Sequence, residues 1–498
     1  MIPSKMIKEQ FQETPCPERI FPAELVQRIR SLLPIAEEYL ENTPKNHFHR
    51  DEGPAEVNEV FNTDLPENPD SWENIVQFLK EEIISRFLAI SSPYFLAYIP
   101  SAPSPPAIIG AALTPLFNQF AGNVIASPGG SAIEGLAIKW ITQLLNLAPT
   151  SWGSFTMGGS GANLTCIYAG LVDKAPWNIK KNGLFNNKRL MIYTSDQSHN
   201  CIIKAAMLLG LGEESVRIVP SDDSYHLTPE AVRRAIEEDE QDDNKYPVMI
   251  IANAGTTNTG AIDDITGLHE LAKEKRLWLH VDGAYGAFAR ITDAAVSKEL
   301  EALELADSIA LDGHKWLFSP FEAGLAILKE SNKLRIAFEL GAEYLKDSDL
   351  EEDYPLQRNF RSYGFPLTRE LRGLKIWMLI RSYGKQGLSH LITRNILVAD
   401  YLRKRIQEHP SMELMTDGKL SIVCFRWTGS DEFNENIITR MQERKKFYLS
   451  RTTLKGKATI RVCILNLDAT PELMDELIDE IESIVTEVNH ISSDSLEH

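Results

Sequence analysis

The sequence predicts an α/β protein: a mostly parallel sheet followed by a smaller C-terminal α/β domain. Three observations predict it. From residue 190 onward, short apolar runs are separated by helical stretches: Leu190–Ser195, Ser215–Val219, Val248–Ala252 and Leu277–Val281, with Ser308–Leu311 and Leu325–Leu328 completing the set. Strands that alternate with helices pair in parallel, with helices on both faces. Two of these runs end in polar, chemically capable residues: Leu277-Trp-Leu-His-Val-Asp-Gly-Ala-Tyr-Gly286 and Ser308-Ile-Ala-Leu-Asp-Gly-His-Lys-Trp316. Open α/β sheets bind their ligands at such strand ends. Finally, the glycine-rich turn within Gly153-Ser-Phe-Thr-Met-Gly-Gly-Ser-Gly-Ala-Asn163 opens directly into an apolar-periodic helix.

The chain has 498 residues, enough for two or three domains. Its hydrophobic (43%) and charged (24%) contents are those of a soluble globular protein. A net charge of −19 argues against nucleic acid or an anionic membrane as partner. No apolar run reaches the length of a membrane span, and the first residues lack the apolar core of a secretory leader. The five cysteines are scattered without metal-ligand spacing, so no metal is expected and a reduced, cytoplasmic setting fits. Leu496-Glu-His498 reads as a cloning remnant within a tail over 491–498.

Residues 1–90 read as a helical arm. Leu25, Ile29, Leu32 and Leu33 have helical spacing, as does the segment Ser71–Ser85, with Asp70 as its expected N-cap and Glu73 in capping-box position. An acidic, proline-bearing loop, Arg50–Asn68, is expected between them. Two striped helices cannot close a core alone, so the arm must pack on the main domain or on a partner chain. Five prolines in residues 91–106 forbid regular structure there. The aromatic residues of this loop either line a pocket or anchor a packed loop. Residues 130–147 form an amphipathic core helix through Ile133, Leu136, Ala137, Trp140, Ile141, Leu144 and Leu145.

At the strand ends, Lys315 has few water partners and suits a nucleophile toward a carbonyl, while Asp282 puts a carboxylate at the same edge. These are the two protein groups that pyridoxal phosphate needs most. The glycine-rich helix start suits a phosphate, which assigns Gly159, Ser160, Gly161 and Ala162 to it. The turn differs from a dinucleotide fingerprint, having no Gly-x-Gly-x-x-Gly after a clear strand. His199 is either a cap or core histidine or a site residue. Residues 341–354 are dense in acids and read as an exposed, mobile loop. From about 386 a smaller domain is expected, with a helix over Ser389–Gln407, strands over Leu420–Trp427 and Ala458–Ile464, and a closing helix over Thr470–Val488. Arg461 alternates with Ile460 and Val462 and so faces the other side, as a carboxylate contact or a structural ion pair.

His280-Val-Asp-Gly-Ala-Tyr-Gly286 followed by Asp312-Gly-His-Lys-Trp316 resembles the group II pyridoxal-phosphate decarboxylases, the family of aromatic-L-amino-acid decarboxylase. The likeness runs from about Phe21 to Ile484. It implies the type I pyridoxal-phosphate-dependent (aspartate aminotransferase-like) fold: a helical arm over 1–90 packed across a homodimer, a large cofactor domain over 91–385 and a small domain over 386–490. It implies pyridoxal 5'-phosphate as cofactor and an amino acid as substrate, with the active site at the dimer interface. Lys315 would bond the cofactor and Asp282 would hold its ring nitrogen. His199 would lie on the ring and relay a proton, with Ala284 on the opposite face. Thr257, Asp312 and His314 would stand beside the cofactor. Tyr344 would be the catalytic-loop acid. Tyr98 would be a substrate wall with Phe120, Ser101 a contact for the substrate carboxylate, and Arg369 would lie near cofactor and substrate acid.

The expected reaction is decarboxylation of an L-amino acid, aromatic or bulky apolar, with acidic or basic amino acids open. Animal aromatic enzymes carry Ile and Phe where this chain has Phe120 and Gly122, and Trp where it has Val124. An aldehyde synthase on the same scaffold is the first rival. In such enzymes a phenylalanine replaces the loop tyrosine, or an asparagine replaces the stacking histidine, so Tyr344 and His199 favour simple decarboxylation. An aldol-type lyase would need a basic pocket that residues 91–125 do not supply. A non-catalytic binding protein would not need Lys315, Asp282 and His199 together.

Overall fold

The computed structural model describes residues 22–43, 52–184, 188–340 and 356–494, with Met6, Lys8 and Gln12. The chain divides into two units, Met1–Ala89 and Ile90–His498. The first carries α1 (Pro22–Asn42), α2 (Pro54–Phe61) and α3 (Trp72–Phe78). Helix α2 falls inside the expected loop. Pro54 sits at its first turn, where no N–H is needed, and the Glu56 carboxylate accepts the Gly53 N–H. The cap of α3 is Ser71, not Asp70: the Ser71 hydroxyl accepts the Asn74 N–H at 3.2 Å. Asp70 instead accepts the Ser71 N–H at 2.8 Å and the Asn74 amide at 2.7 Å, bracing the same turn from outside.

The second unit begins with the proline-rich segment, which has no helix or strand until α4 (Pro105–Phe117), and continues with α5 (Pro128–Leu144). Then follow β1 (Trp152–Thr156), α6 (Gly158–Lys174), β2 (Arg189–Ser195), α7 (Cys201–Leu208), β3 (Val216–Val219) and α8 (Pro229–Asp239). Next come β4 (Lys245–Asn253), α9 (Ile265–Lys275), β5 (Trp278–Asp282), β6 (Ser308–Asp312), β7 (Gly324–Leu328) and α10 (Ser331–Phe338). The seven strands lie in the order β1-β7-β6-β5-β4-β2-β3. β6, β5, β4, β2 and β3 run parallel, and β7 is antiparallel between β6 and β1. Strand β1 precedes the glycine-rich turn, where no clear strand was expected. Its residues, Trp-Gly-Ser-Phe-Thr, are all buried although Gly153 is bare and Ser154 and Thr156 are polar.

After α10 the long helix α11 (Gly373–Glu408) is interrupted at Gly384, whose φ of 62° suits glycine. A four-stranded antiparallel sheet follows, in the order β10-β11-β9-β8, from β8 (Met412–Leu414), β9 (Ile422–Trp427), β10 (Ser450–Leu454) and β11 (Lys457–Cys463). Helices α12 (Asp431–Arg444) and α13 (Pro471–Asp494) cover it. One apolar core surrounds the large sheet; a second joins the small sheet to α12, α13 and the later turns of α11.

Helix α5 carries a charge that an apolar reading misses. Ala137, Ile141 and Leu144 are buried as expected, but so is Glu134, fully. Its carboxylate pairs with the Arg369 guanidinium and accepts the N–H groups of Arg372 (3.1 Å) and Gly373 (3.2 Å), where α11 begins. Arg369 also donates to Ser154 Oγ at 3.0 Å and to the Phe155 carbonyl at 3.3 Å. Removing one partner of such a pair leaves a buried charge alone. Glu134→Ala is therefore expected to lower folding stability by about 3–5 kcal/mol, read from the denaturant midpoint.

Candidate active site

The parallel strands deliver the site by register. Asn253, the last residue of β4, is level with Asp282, the last of β5, and Asp282 is level with Ala310 two residues before the end of β6. Just beyond lies a cavity of about 250 Å³. His199, Thr257, Asp282, Ala284, Asp312, His314 and Lys315 all line it, with Gly158, Gly159 and Ser160 at the start of α6.

Lys315 is half-buried and held by its neighbours. Gly313 N–H donates to Ala323 O at 2.8 Å, and a side chain on Gly313 would meet Ala323 and Ile376 within 3.2 Å. Trp316 is fully buried, stacks on Tyr285 at 5.0 Å and donates to Asn395 Oδ1. The backbone on both sides of the lysine is thus fixed while its own side chain reaches the cavity. Asp282 accepts the Ala284 N–H on Oδ1 (3.1 Å) and the Asn163 amide on Oδ2 (3.1 Å). His199 borders the cavity with its ring partly open to solvent, and its Nδ1 accepts the Cys201 N–H at 3.2 Å. That leaves the proton on Nε2. Desolvation lowers its pKa, with Lys315 adding to the fall and Asp282 opposing it, so the neutral imidazole is favoured at neutral pH. Burial pushes the Cys201 thiol up to about 12, so it is no thiolate nucleophile.

The phosphate end is narrower than the sequence implied. Gly161 N–H donates to Met157 O, and Ala162 is fully buried in the helix; neither lines the cavity. Gly159 does, and a Cβ there would lie 3.0 Å from the Ala284 methyl and 3.3 Å from Asp312 Oδ2. Its N–H is held by the Asp312 carboxylate at 2.6 Å, and the other Asp312 oxygen lies 2.6 Å from His314 Nδ1. With the Gly159 N–H engaged, Ser160 and the imidazole of His314 are what remain for an anion at this glycine turn.

The residues expected around the substrate are not among the cavity walls of this chain. Ser101 is buried and donates to the His314 carbonyl at 2.7 Å, which clamps the proline-rich loop onto the lysine loop. Arg369 is spent on Glu134, as above, and cannot reach a substrate acid. Phe120 is half-buried, and Tyr98 is exposed. Among the described residues Arg461 has neither an ion pair nor a carboxylate contact. Its guanidinium donates to the carbonyls of Thr257 (2.7 Å), Tyr98 (3.0 Å) and Asn258 (3.1 Å), tying the two loops to β11. Tyr344 lies outside the described residues. Sequence reasoning missed Asn163 and Asn253, both cavity walls. Asn253 carried a signal, a polar residue closing an apolar strand at the ligand edge; Asn163, one polar residue in an apolar helix, carried none.

A lysine, a carboxylate with two donors, a neutral imidazole and a glycine-rich helix start meet in one cavity. Pyridoxal phosphate needs that set: an amine for its aldehyde, an acceptor for its ring N–H, and a cradle for its phosphate. The pyridoxal-dependent decarboxylase conserved domain matches residues 54–428. The chain belongs to this family of pyridoxal-phosphate-dependent amino-acid decarboxylases. An aromatic-L-amino-acid decarboxylase from Bacillus atrophaeus is 30% identical over 435 residues, which is 85% of this chain and 88% of the relative. A 3,4-dihydroxyphenylacetaldehyde synthase from Aedes aegypti is also 30% identical, over 86% of this chain and 83% of the relative. The crystal structure of Oryza sativa TDC with PLP and tryptamine superposes with a TM-score of 0.87 at 22% identity, covering 95% of this chain and all of that one. The fold is the type I pyridoxal-phosphate fold that the motifs implied.

Proposed function

We propose that this chain decarboxylates an aromatic L-amino acid to its amine, as a cytoplasmic homodimer whose active site lies at the interface. The observation that carries the chemistry is the convergence of Lys315, Asp282 and His199 on one cavity. The aromatic preference is supported by the names of relatives that match most of the chain. When bound, the cofactor supplies a ring that accepts the electron pair left as the bond to the substrate carboxylate breaks. Lys315 supplies the amine that holds it. Asp282 accepts the hydrogen of the ring nitrogen, and His199 covers the ring as a neutral group. Ser160 and His314 take the phosphate, which the missing side chain of Gly159 lets come close, with Thr257 beside the ring. Tyr98 and Phe120 would serve a substrate ring only as part of the assembled dimer. Tyr344 delivers the proton to the substrate α-carbon after CO2 leaves; this role rests on the family resemblance.

The same reading divides the chain into an arm (1–90), a large domain (91–385) and a small domain (386–490). The arm is what pairs the protomers. Leu25, Ile29, Leu33 and Leu40 on α1, and Ile75 and Phe78 on α3, stay exposed in the single chain, more apolar surface than a lone arm keeps in water. Sedimentation of the holoenzyme should give a dimer. Four described cysteines are free and buried, which suits a reduced compartment. No described helix is long and apolar enough to cross a membrane.

The rival is the aldehyde synthase reaction, which the second relative above makes concrete. A panel of aromatic, acidic and basic amino acids, with amine, aldehyde and peroxide all measured, separates the two. Aromatic substrates should give amine with little aldehyde. In Tyr344→Phe the loop loses its acid and keeps its size. Amine formation should then fall by about a hundredfold or more, and aldehyde, ammonia and peroxide should appear as oxygen reacts at the unprotonated α-carbon. Amine formation at the wild-type rate would remove Tyr344 as the acid and leave His199 as the next candidate.

A further inference from the structure

Behind Asp282, running inward from the cavity wall at Asn163, lies a row of buried polar side chains. Trp278, Ser308 and His280 are fully buried, and Asn163 nearly so. Trp278 Nε1 is 2.8 Å from Ser308 Oγ, and Ser308 Oγ is 2.9 Å from His280 Nδ1. His280 Nε2 is 2.8 Å from Asn163 Oδ1, and Asn163 Nδ2 is 3.1 Å from Asp282 Oδ2. The direction of the hydrogens in this row follows from its Asn163 end and the neutrality of the ring.

At one end, an indole N–H only donates, so Ser308 Oγ accepts from Trp278 and its own hydrogen is free for His280 Nδ1. At the other, the Asn163 NH2 faces two oxygens, Asp282 Oδ2 and Gly159 O, both at 3.1 Å. Turning the amide over would set its oxygen against both, so Asn163 Oδ1 must face His280. His280 Nε2 therefore carries a hydrogen; in the neutral ring Nδ1 then accepts the Ser308 hydroxyl hydrogen at 2.9 Å rather than donating to the Ser308 carbonyl, which lies farther off at 3.2 Å. The doubly protonated ring is the one alternative. Burial opposes it, pushing the His280 pKa down to about 4. The Asn163 end fixes the tautomer, and the Trp278 end agrees with it, since the Ser308 hydroxyl keeps a hydrogen to give.

We propose that Trp278, Ser308, His280 and Asn163 form a one-way hydrogen-bond relay that ends on the Asp282 carboxylate, making Asn163 and His280 positioning residues for the acid that holds the cofactor ring nitrogen. Successive hydrogen bonds aligned in one direction polarise one another. The last donor in such a row is a better partner for a carboxylate than an isolated amide. The relay also fixes which Asp282 oxygen faces inward: Oδ2 is held by Asn163 and Oδ1 by Ala284 N–H. It runs from β5 to β6, back to β5 and on to α6, so it also couples the helix that starts at Gly158 to the strand that carries Asp282. The inference rests on the assignment of Asp282 to the ring nitrogen for its functional half, and on the hydrogen-bond geometry alone for its structural half.

The structural half is read in holoenzyme labelled with 15N-histidine, the His280 signals being identified by their loss in His280→Gln. At neutral pH, Nε2 should carry the hydrogen and Nδ1 should be bare. An Nδ1–H tautomer, or the imidazolium, would overturn the relay. The functional half is read in Ser308→Ala, which removes the hydroxyl far from the cavity. Its kcat should fall about tenfold with KM unchanged within about twofold, and its cofactor should dissociate more readily. Ser308→Thr, which keeps the hydroxyl, should recover most of the loss. Unchanged kcat and cofactor affinity in Ser308→Ala, or equal loss in Ser308→Thr, would overturn it. If Asp282 does not serve the ring nitrogen, Asp282→Asn stays active while the His280 tautomer is still as deduced, so the two failures are distinct.

Discussion

Lys315→Ala should lower decarboxylation by more than about 10⁴-fold, the scale of losing the group on which covalent catalysis rests. The reason lies in what surrounds the lysine. Gly313, Trp316 and Phe318 fix the turn from below: Trp316 and Phe318 are fully buried, and the Phe318 N–H returns to the Lys315 carbonyl at 3.3 Å. None of these contacts uses the lysine side chain, so alanine should leave the fold intact. The thermal midpoint is therefore expected to stay close to that of the wild type while turnover disappears. Multiple turnover by Lys315→Ala, without added amine, would mean that another group does the work.

Asp282→Asn is expected to lower kcat by about 10³-fold, the scale on which a single preorganised charge acts on a developing one. The volume is conserved and the position is buried, so packing is not the issue. The amide cannot satisfy the two donors already aimed at that position. Asn163 Nδ2 approaches one oxygen and Ala284 N–H the other, so one of them would face an NH2 group. The ring nitrogen would also lose its anionic partner. Cofactor affinity should fall together with kcat, which an effect confined to substrate binding would not produce. An Asp282→Asn variant with wild-type kcat and cofactor affinity would contradict the assignment.

The parts of this site that were legible in sequence are those that strand ends make legible. Val-Asp-Gly-Ala and Asp-Gly-His-Lys each break an apolar run at once, and the break marks both the end of a buried strand and the edge where ligands bind. Strand β1 was not legible because Gly153 and Ser154 dilute its apolar pattern; its burial comes from pairing with β7. Helix α2 was hidden in an acidic, proline-bearing stretch whose composition reads as a loop, although Pro54 begins it. Glu134, Asn163 and His280 share a different cause. Each is a single polar residue in an apolar run, and its partner is distant in sequence: Arg369 for Glu134, Asp282 for Asn163, Asn163 for His280. Periodicity reports the apolar face and is silent about such pairs. Arg369 shows the converse. A family likeness placed it at the substrate, while its actual surroundings, a buried carboxylate and two further acceptors, hold it inside the core.

The central claim is that the cofactor is bound through Lys315 in the cavity beside Asp282. Borohydride reduction of the holoenzyme, followed by digestion and mass analysis of the peptides, tests it directly. The account predicts loss of the yellow colour and a pyridoxyl phosphate addition on the peptide bearing Lys315, at that residue. Reduction that fixes the cofactor on a different lysine, or on none, would contradict it.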